Sequence, residues 1–163
     1  MDDLNVTMTG EWDEAVRIAS RYPLYVTTLR RKVLHGVSET YYRMLVNHFQ
    51  RQDLNLKPLN EWYSEWKSKR GLDSRILIAT GEMLSHVKQY QEDDGAFIGI
   101  RGGRTHRGSG LDVALLALIH EYGSTKRGIP ARPVYRTTLR ELKDKLKAIM
   151  DAAAVEAWTE VMA

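Results

Sequence analysis

Apolar residues recur at helical steps over two long stretches of this chain. In the first, Val26, Leu29, Val33, Val37, Tyr41, Met44, Leu45 and His48 return every three or four positions. That is one stripe of a 3.6-residue repeat, and it predicts a helix over 24–51. Gly36 interrupts the stripe. A glycine there costs about 1 kcal/mol relative to alanine, so it marks a kink or a close crossing. The second stripe is Leu139, Leu142, Leu146, Ile149, Met150, Ala153, Ala157, Trp158 and Val161. It predicts one last helix from 135 or 137 to near the end, with Lys and Glu on its other face. A short helix is expected over 11–21, where Glu11, Asp13 and Glu14 suit the positive end of a helix dipole. Pro23 then stands at a joint and opens the next helix. Residues 1–10 read as a loose leader.

Between the stripes the pattern shortens. Residues 52–58 are a connector, and 59–69 is a short helix with Trp62 and Trp66 four apart on one face. Lys67, Lys69 and Arg70 follow as a solvated basic helix end, with a phosphate site as the alternative. Gly71-Leu72-Asp73 signals a turn, and the apolar run Ile76-Leu77-Ile78 is broken by Thr80-Gly81. Asp93-Asp94-Gly95 is a hairpin signal. It predicts an antiparallel pair, 86–91 with 96–101. His48 lies on the apolar stripe and reads as a packed histidine with a satisfied ring nitrogen, since no second ligand follows at a useful spacing.

Residues 101–110 form a basic, glycine-rich loop holding Arg101, Arg104, His106 and Arg107. No Gly-Lys-Ser/Thr closes it as in a nucleotide-phosphate loop. Its glycine spacing is not that of a dinucleotide fold either. A flexible connector and a loop touching DNA phosphates or a neighbouring subunit both remain open. Residues 111–122 make a strongly apolar helix, with Asp112 in its first turn and Gly123 as its stop. His120-Glu121 suggests a zinc protease, but that pattern needs a second His at 124, where the chain has Ser. The Ser64-Glu65-Trp66-Lys67 tetrad has a Ser-x-x-Lys form without companion motifs. No enzyme activity, cofactor or metal is expected.

Composition changes little. The 163 residues suit a single domain, and the 43% apolar and 28% charged shares are those of a globular protein. Absence of cysteine excludes disulfides and thiolate metal sites. No apolar run reaches the roughly 20 residues that span a membrane, and the polar N-terminus is no signal peptide. A net charge of +3 permits contact with nucleic acid without requiring it.

One constellation is more specific. Ile76, Leu77, Thr80, Gly81 and Leu84 precede Ile119, His120, Glu121, Gly123, Ile129, Pro130, Ala131, Arg132 and Pro133. In order and spacing, from about 59 to 140, this resembles the phage virion-morphogenesis family, the tail-completion proteins. Tyr122 stands where Phe is usual, Val134-Tyr135 replaces Phe-Leu, and the loop 101–110 is longer than the family leads one to expect. The resemblance implies a structural virion protein at the neck or tail end, assembled in the host cytoplasm. It would join the DNA-filled head to the tail as a ring, sixfold by analogy with tail tubes. Its implied partners are other copies of itself, head-connector proteins, and tail-tube or tail-terminator proteins, with non-specific contact to genomic DNA and no membrane.

The fold expected is α+β: a small antiparallel sheet of three or four strands, the hairpin plus one or two more, packed with the long N-terminal helix and the amphipathic C-terminal helix. His120, Glu121, Tyr122, Gly123, Pro130, Arg132 and Pro133 would form the assembly motif. Pro130 and Pro133 stiffen the segment around Arg132. Glu121 is the carboxylate expected to take Arg132, within the subunit or across to the next, and His120 is expected to reach a backbone carbonyl. Arg101, Arg104 and Arg107 would contact DNA or a subunit. The rival reading is a non-sequence-specific nucleic-acid-binding protein using loop 101–110 with Lys67, Lys69 and Arg70.

Overall fold

A computed structural model describes residues 10–93 and 95–162. The expected leader, Gly10 apart, and Asp94 of the hairpin turn lie outside the described residues. The chain is mostly helical with one antiparallel hairpin. Its elements are α1 (Trp12–Arg51), α2 (Glu61–Lys69), α3 (Glu82–Ser85), β1 (Lys88–Glu92), β2 (Gly95–Gly99), α4 (Val113–Tyr122), α5 (Tyr135–Lys143) and α6 (Leu146–Met162). A 3-10 turn at Thr125–Arg127 lies between α4 and α5.

The two N-terminal helices expected from the sequence are one helix of 40 residues, about 60 Å long. Pro23 lies inside it rather than at a joint. Pro23 and Ala19, the residue whose carbonyl loses its helical donor, are both exposed, so water can satisfy that oxygen. Contacts on either side hold the helix straight through. Arg17 and Arg21 donate to the last carbonyls of α6, Met162 at 3.1 Å and Val161 at 3.0 Å. Farther on, Arg31 and Lys32 meet Glu160 at 2.9 Å each, and Lys32 also reaches Glu156 at 3.3 Å. These cations complement the negative C-terminal end of α6. Gly36 marks a close crossing: a Cβ there would sit 2.9 Å from Ile149 Cγ2 of α6.

The last helix divides at 144–145, where Lys145 N donates to Leu142 O. The break lets α5 pack beside the C-terminal part of α1 while α6 runs along its N-terminal part. His48 bridges at the lower end: Nδ1 lies 2.6 Å from Asp53 Oδ1, and Nε2 is 3.1 Å from Glu141 Oε2 without hydrogen-bond alignment.

The sheet is the hairpin alone among the described residues, in register Lys88↔Gly99 through Glu92↔Gly95. The third and fourth strands do not form. The apolar run at 76–78 is a turn instead, with Leu77 at φ 63°. Gln52 ties that turn to the end of α1, accepting from Ile76 N at 2.7 Å and donating to Ile76 O at 3.2 Å. Further strand-like pairing among the described residues is limited to the single bridges Thr105↔Asp112 and Ser124↔Ile129. The core gathers Leu45 and Phe49 of α1 with Ile78, Met83, Val87, Ile100, Val113, Ala117 and Val134.

The basic cluster at the C-terminal end of α2 is not uniformly solvated. Lys67 is only 2% exposed, and its ammonium donates to the carbonyls of Arg75 and Ile78. Burial lowers its pKa. The amine is therefore committed to closing the 70–78 turn and is not free to activate Ser64.

Candidate functional site

The motif around His120 is a closed joint between two helices. Asp112 starts α4 by accepting from Ala114 N at 2.8 Å and Leu115 N at 3.3 Å, two of the donors a helix N-terminus leaves unpaired. At the other end Gly123 stops the helix with its N–H on Ile119 O at 2.8 Å. The chain then turns through Thr125–Arg127 and comes back beside itself. Ser124 N donates to Ile129 O at 2.8 Å, Ile129 N to Ser124 O at 2.9 Å, and Arg132 N to His120 O at 2.7 Å.

Glu121 locks the return. Its carboxylate is 5% exposed and accepts from Val134 N at 2.8 Å, Tyr135 N at 3.0 Å and Arg136 N at 2.9 Å. These are the first N–H groups of α5. A carboxylate at the negative C-terminal end of α4 is thereby placed on the positive N-terminal end of α5. Arg136 completes the clamp. Its Nε donates to Glu121 Oε1 at 3.1 Å, its Nη2 donates to Glu121 O at 2.9 Å, and its guanidinium lies 4.5 Å from the Tyr122 ring centroid.

Arg132 is therefore not the partner of Glu121. It is 7% exposed and points the other way. Nε donates to Lys57 O at 2.8 Å and Nη2 to Pro58 O at 3.0 Å, pinning the 52–60 connector ahead of α2. Its charge is held by carbonyl dipoles instead of a carboxylate, and burial lowers its pKa. Pro133 contributes its carbonyl, which accepts from Thr137 Oγ1 at 2.7 Å. Of the motif residues, His120, Glu121, Gly123, Pro130, Arg132 and Pro133 build the joint. Tyr122 lies on its outer surface, 61% exposed. Arg136, which no sequence pattern singled out, is the missing cation.

His120 does not reach a backbone carbonyl through Nδ1, which is buried without a hydrogen-bond partner among the described residues. Burial pushes the imidazole down to about 4, and the charges of Arg132 and then His106 add to the shift. An unfolded imidazole titrates near 6.5. Between those values the unfolded chain holds the proton and the folded chain does not. The contribution of His120 to stability is therefore fully present above about 6.5 and is lost as the pH drops toward about 4. Urea unfolding at about pH 7 and about pH 4.5 should give the wild type a loss about 2 kcal/mol larger than that of His120→Gln. Equal losses would assign the acid sensitivity to other groups.

Of the three loop arginines, two line one cleft. The loop itself is fixed: Asp112 accepts from Gly103 N, Val113 N donates to Arg104 O at 2.7 Å, and His106 N donates to Leu111 O at 2.7 Å. Arg107 N faces the Glu82 carboxylate at 3.2 and 3.3 Å, beside α3. Arg101 and Arg104 lie elsewhere, lining a cleft of about 390 Å³ with His86, Lys88, Tyr90 and Gly102. The Arg101 guanidinium is 4.0 Å from the Tyr90 ring centroid and 5.7 Å from that of Phe97, and Nη2 is 3.0 Å from Glu92 Oε1. Aromatic groups also pair on α2, where Tyr63 stacks on Trp66 at 5.5 Å and the Arg70 guanidinium lies 4.4 Å from Trp66.

Several apolar side chains remain uncovered. On α4, Leu115, Leu118 and Tyr122 share one exposed face at helical spacing. Among the described residues no group of three or more His, Asp or Glu could hold a metal ion. No helix of theirs is long and apolar enough to cross a membrane.

The chain is similar to an uncharacterized protein, MJ0331, of Methanocaldococcus jannaschii: 25% identical over 134 residues, which cover 80% of this chain and 93% of that protein. No family model matches, and no solved structure matches.

Proposed function

We propose that this chain is a structural virion protein of a tailed bacteriophage. It completes the tail or neck and joins the DNA-filled head to the tail, as a ring of copies with sixfold symmetry. The observation that carries this reading is the His120–Pro133 motif. It is a rigid joint with no open catalytic geometry: its glutamate is spent on the N-terminus of α5, and its arginine on the carbonyls of Lys57 and Pro58. Beside the joint stands the uncovered face of Leu115, Leu118 and Tyr122. A surface of this kind suits contact with a different patch on the next copy, the head-to-tail arrangement that closes rings. Head-connector and tail-tube or tail-terminator proteins are the neighbours this role requires.

Electron microscopy of particles made without the gene tests the reading. Full heads lying apart from finished tails are expected. Tails of uncontrolled length would move the role to tail termination. Normal, infectious particles would overturn it.

A further inference from the structure

The hairpin has two unlike faces. Gln89 Nε2 and Gln91 Nε2 donate to Ser38 Oγ of α1 at 2.9 and 3.3 Å, and Ile98 packs against the core. Side chains alternate along a strand, so Lys88, Tyr90, Glu92 and Phe97 stand on the opposite face. Phe97 is 38% exposed there, paired across the strands with Tyr90. The start of loop 101–110 folds over this face and brings Arg101 onto both rings and Arg104 into the same cleft as His86 and Lys88.

We infer that this outward hairpin face binds the phosphodiester backbone of nucleic acid without reading its sequence. Non-specific contact with DNA is compatible with the virion role; the inference names the surface that makes it and does not rest on that role. Three features carry it. First, the cleft groups Lys88, Arg101 and Arg104, and the carboxylates beside it are already engaged, Glu92 by Arg101 and Asp112 by Gly103 N and the first N–H groups of α4. Second, aromatic rings are interleaved with those cations, the combination that lets a groove follow a charged backbone while bases stack. Third, the cations are placed in advance. Arg101 rests on the Tyr90 ring, and the backbone on either side of Arg104 is held through Gly103 N on Asp112 and Val113 N on Arg104 O. Little ordering remains to be done on binding. Arg107 is not among the residues lining the cleft, its backbone N–H facing Glu82, and the Lys67 amine is buried.

The test is fluorescence anisotropy of the full chain with a labelled DNA duplex and with one of its single strands, across a salt series. Binding is expected with a slope of log affinity against log salt of about −2 to −3, as for two or three phosphates neutralised. Lys88→Glu combined with Arg104→Glu should lower affinity about tenfold or more at low salt, because both side chains are exposed and their reversal leaves the fold intact. Lys126→Glu, outside the cleft, is the control and should change affinity far less. Circular dichroism checks that all variants are folded. No salt-dependent binding, or equal losses in the double variant and the control, would overturn the inference. Equally tight binding to polyglutamate would overturn the assignment to nucleic acid.

Discussion

Glu121→Gln is expected to cost about 3 to 5 kcal/mol of folding stability, although it changes only one oxygen for an NH2 group. The carboxylate has two oxygens and room for about four hydrogen bonds. All four are filled, by Val134 N, Tyr135 N, Arg136 N and Arg136 Nε. Glutamine keeps the shape but turns one acceptor into a donor that faces other donors. Two backbone N–H groups at the buried start of α5 would then lose their partner, and Arg136 its counter-charge. Each charged hydrogen bond is worth roughly 1.5 to 3 kcal/mol, and the losses are only partly recovered by water at a site this buried. Urea unfolding of the two proteins gives the difference directly, provided the slope with denaturant is unchanged. A loss under about 1 kcal/mol would mean that α5 does not depend on this carboxylate for its start.

The same residue illustrates what the sequence could and could not convey. Glu121 and Arg132 are opposite charges on neighbouring segments, so pairing them follows from charge alone. The true partner is mainly the end of a helix, and a row of backbone N–H groups has no letter in the sequence. The positive end of α5 exists only once α5 starts at Tyr135. The buried Lys67 has no sequence signal for a related reason. A lysine at a helix end reads as solvated unless one knows that the carbonyls of Arg75 and Ile78 turn back over it.

Local signals fared better where no distant contact opposed them. The hairpin follows from the Asp93-Asp94-Gly95 signal in the sequence, α4 from its apolar run, and the close crossing at Gly36 is one of the two readings of a glycine in an otherwise regular stripe. Pro23 is the opposite case. A proline costs a helix interior about 3 kcal/mol, and its local signal is a break. Here contacts of Arg17, Arg21, Arg31 and Lys32 with α6 lie on both sides of it, so the helix is held by its neighbour and not by its own propensity. The arginines of loop 101–110 needed the fold as well: only the folded chain shows that Arg101 and Arg104 line one cleft with Lys88 and that Arg107 does not line it.

Gly123→Ala is the second change expected to have a large effect, about 3 to 5 kcal/mol from one methyl group. Two costs add. The backbone at φ 78°, ψ 176° lies in a region that is essentially reserved for glycine, with a strain of about 1 to 3 kcal/mol for any other residue. The new Cβ would also stand 2.8 Å from Ala131 N and 2.9 Å from Ile129 O. Those atoms belong to the returning segment, and they cannot retreat cheaply. Ile129 O accepts from Ser124 N, and Arg132, which follows Ala131, donates its N–H to His120 O. Moving them would draw Val134 and Tyr135 away from Glu121. The Gly123→Ala and Glu121→Gln losses should therefore not add: the double variant is expected to fall short of the sum by about 1 kcal/mol or more, because both disturb one joint. Gly128→Ala separates the two costs. Gly128 has φ 62° and ψ 23°, and a Cβ there meets open space, so only about 1 kcal/mol of left-handed strain is expected. If thermal and urea unfolding place Gly123→Ala no lower than Gly128→Ala, the close return of the chain at Ala131 is not what holds α4 to α5.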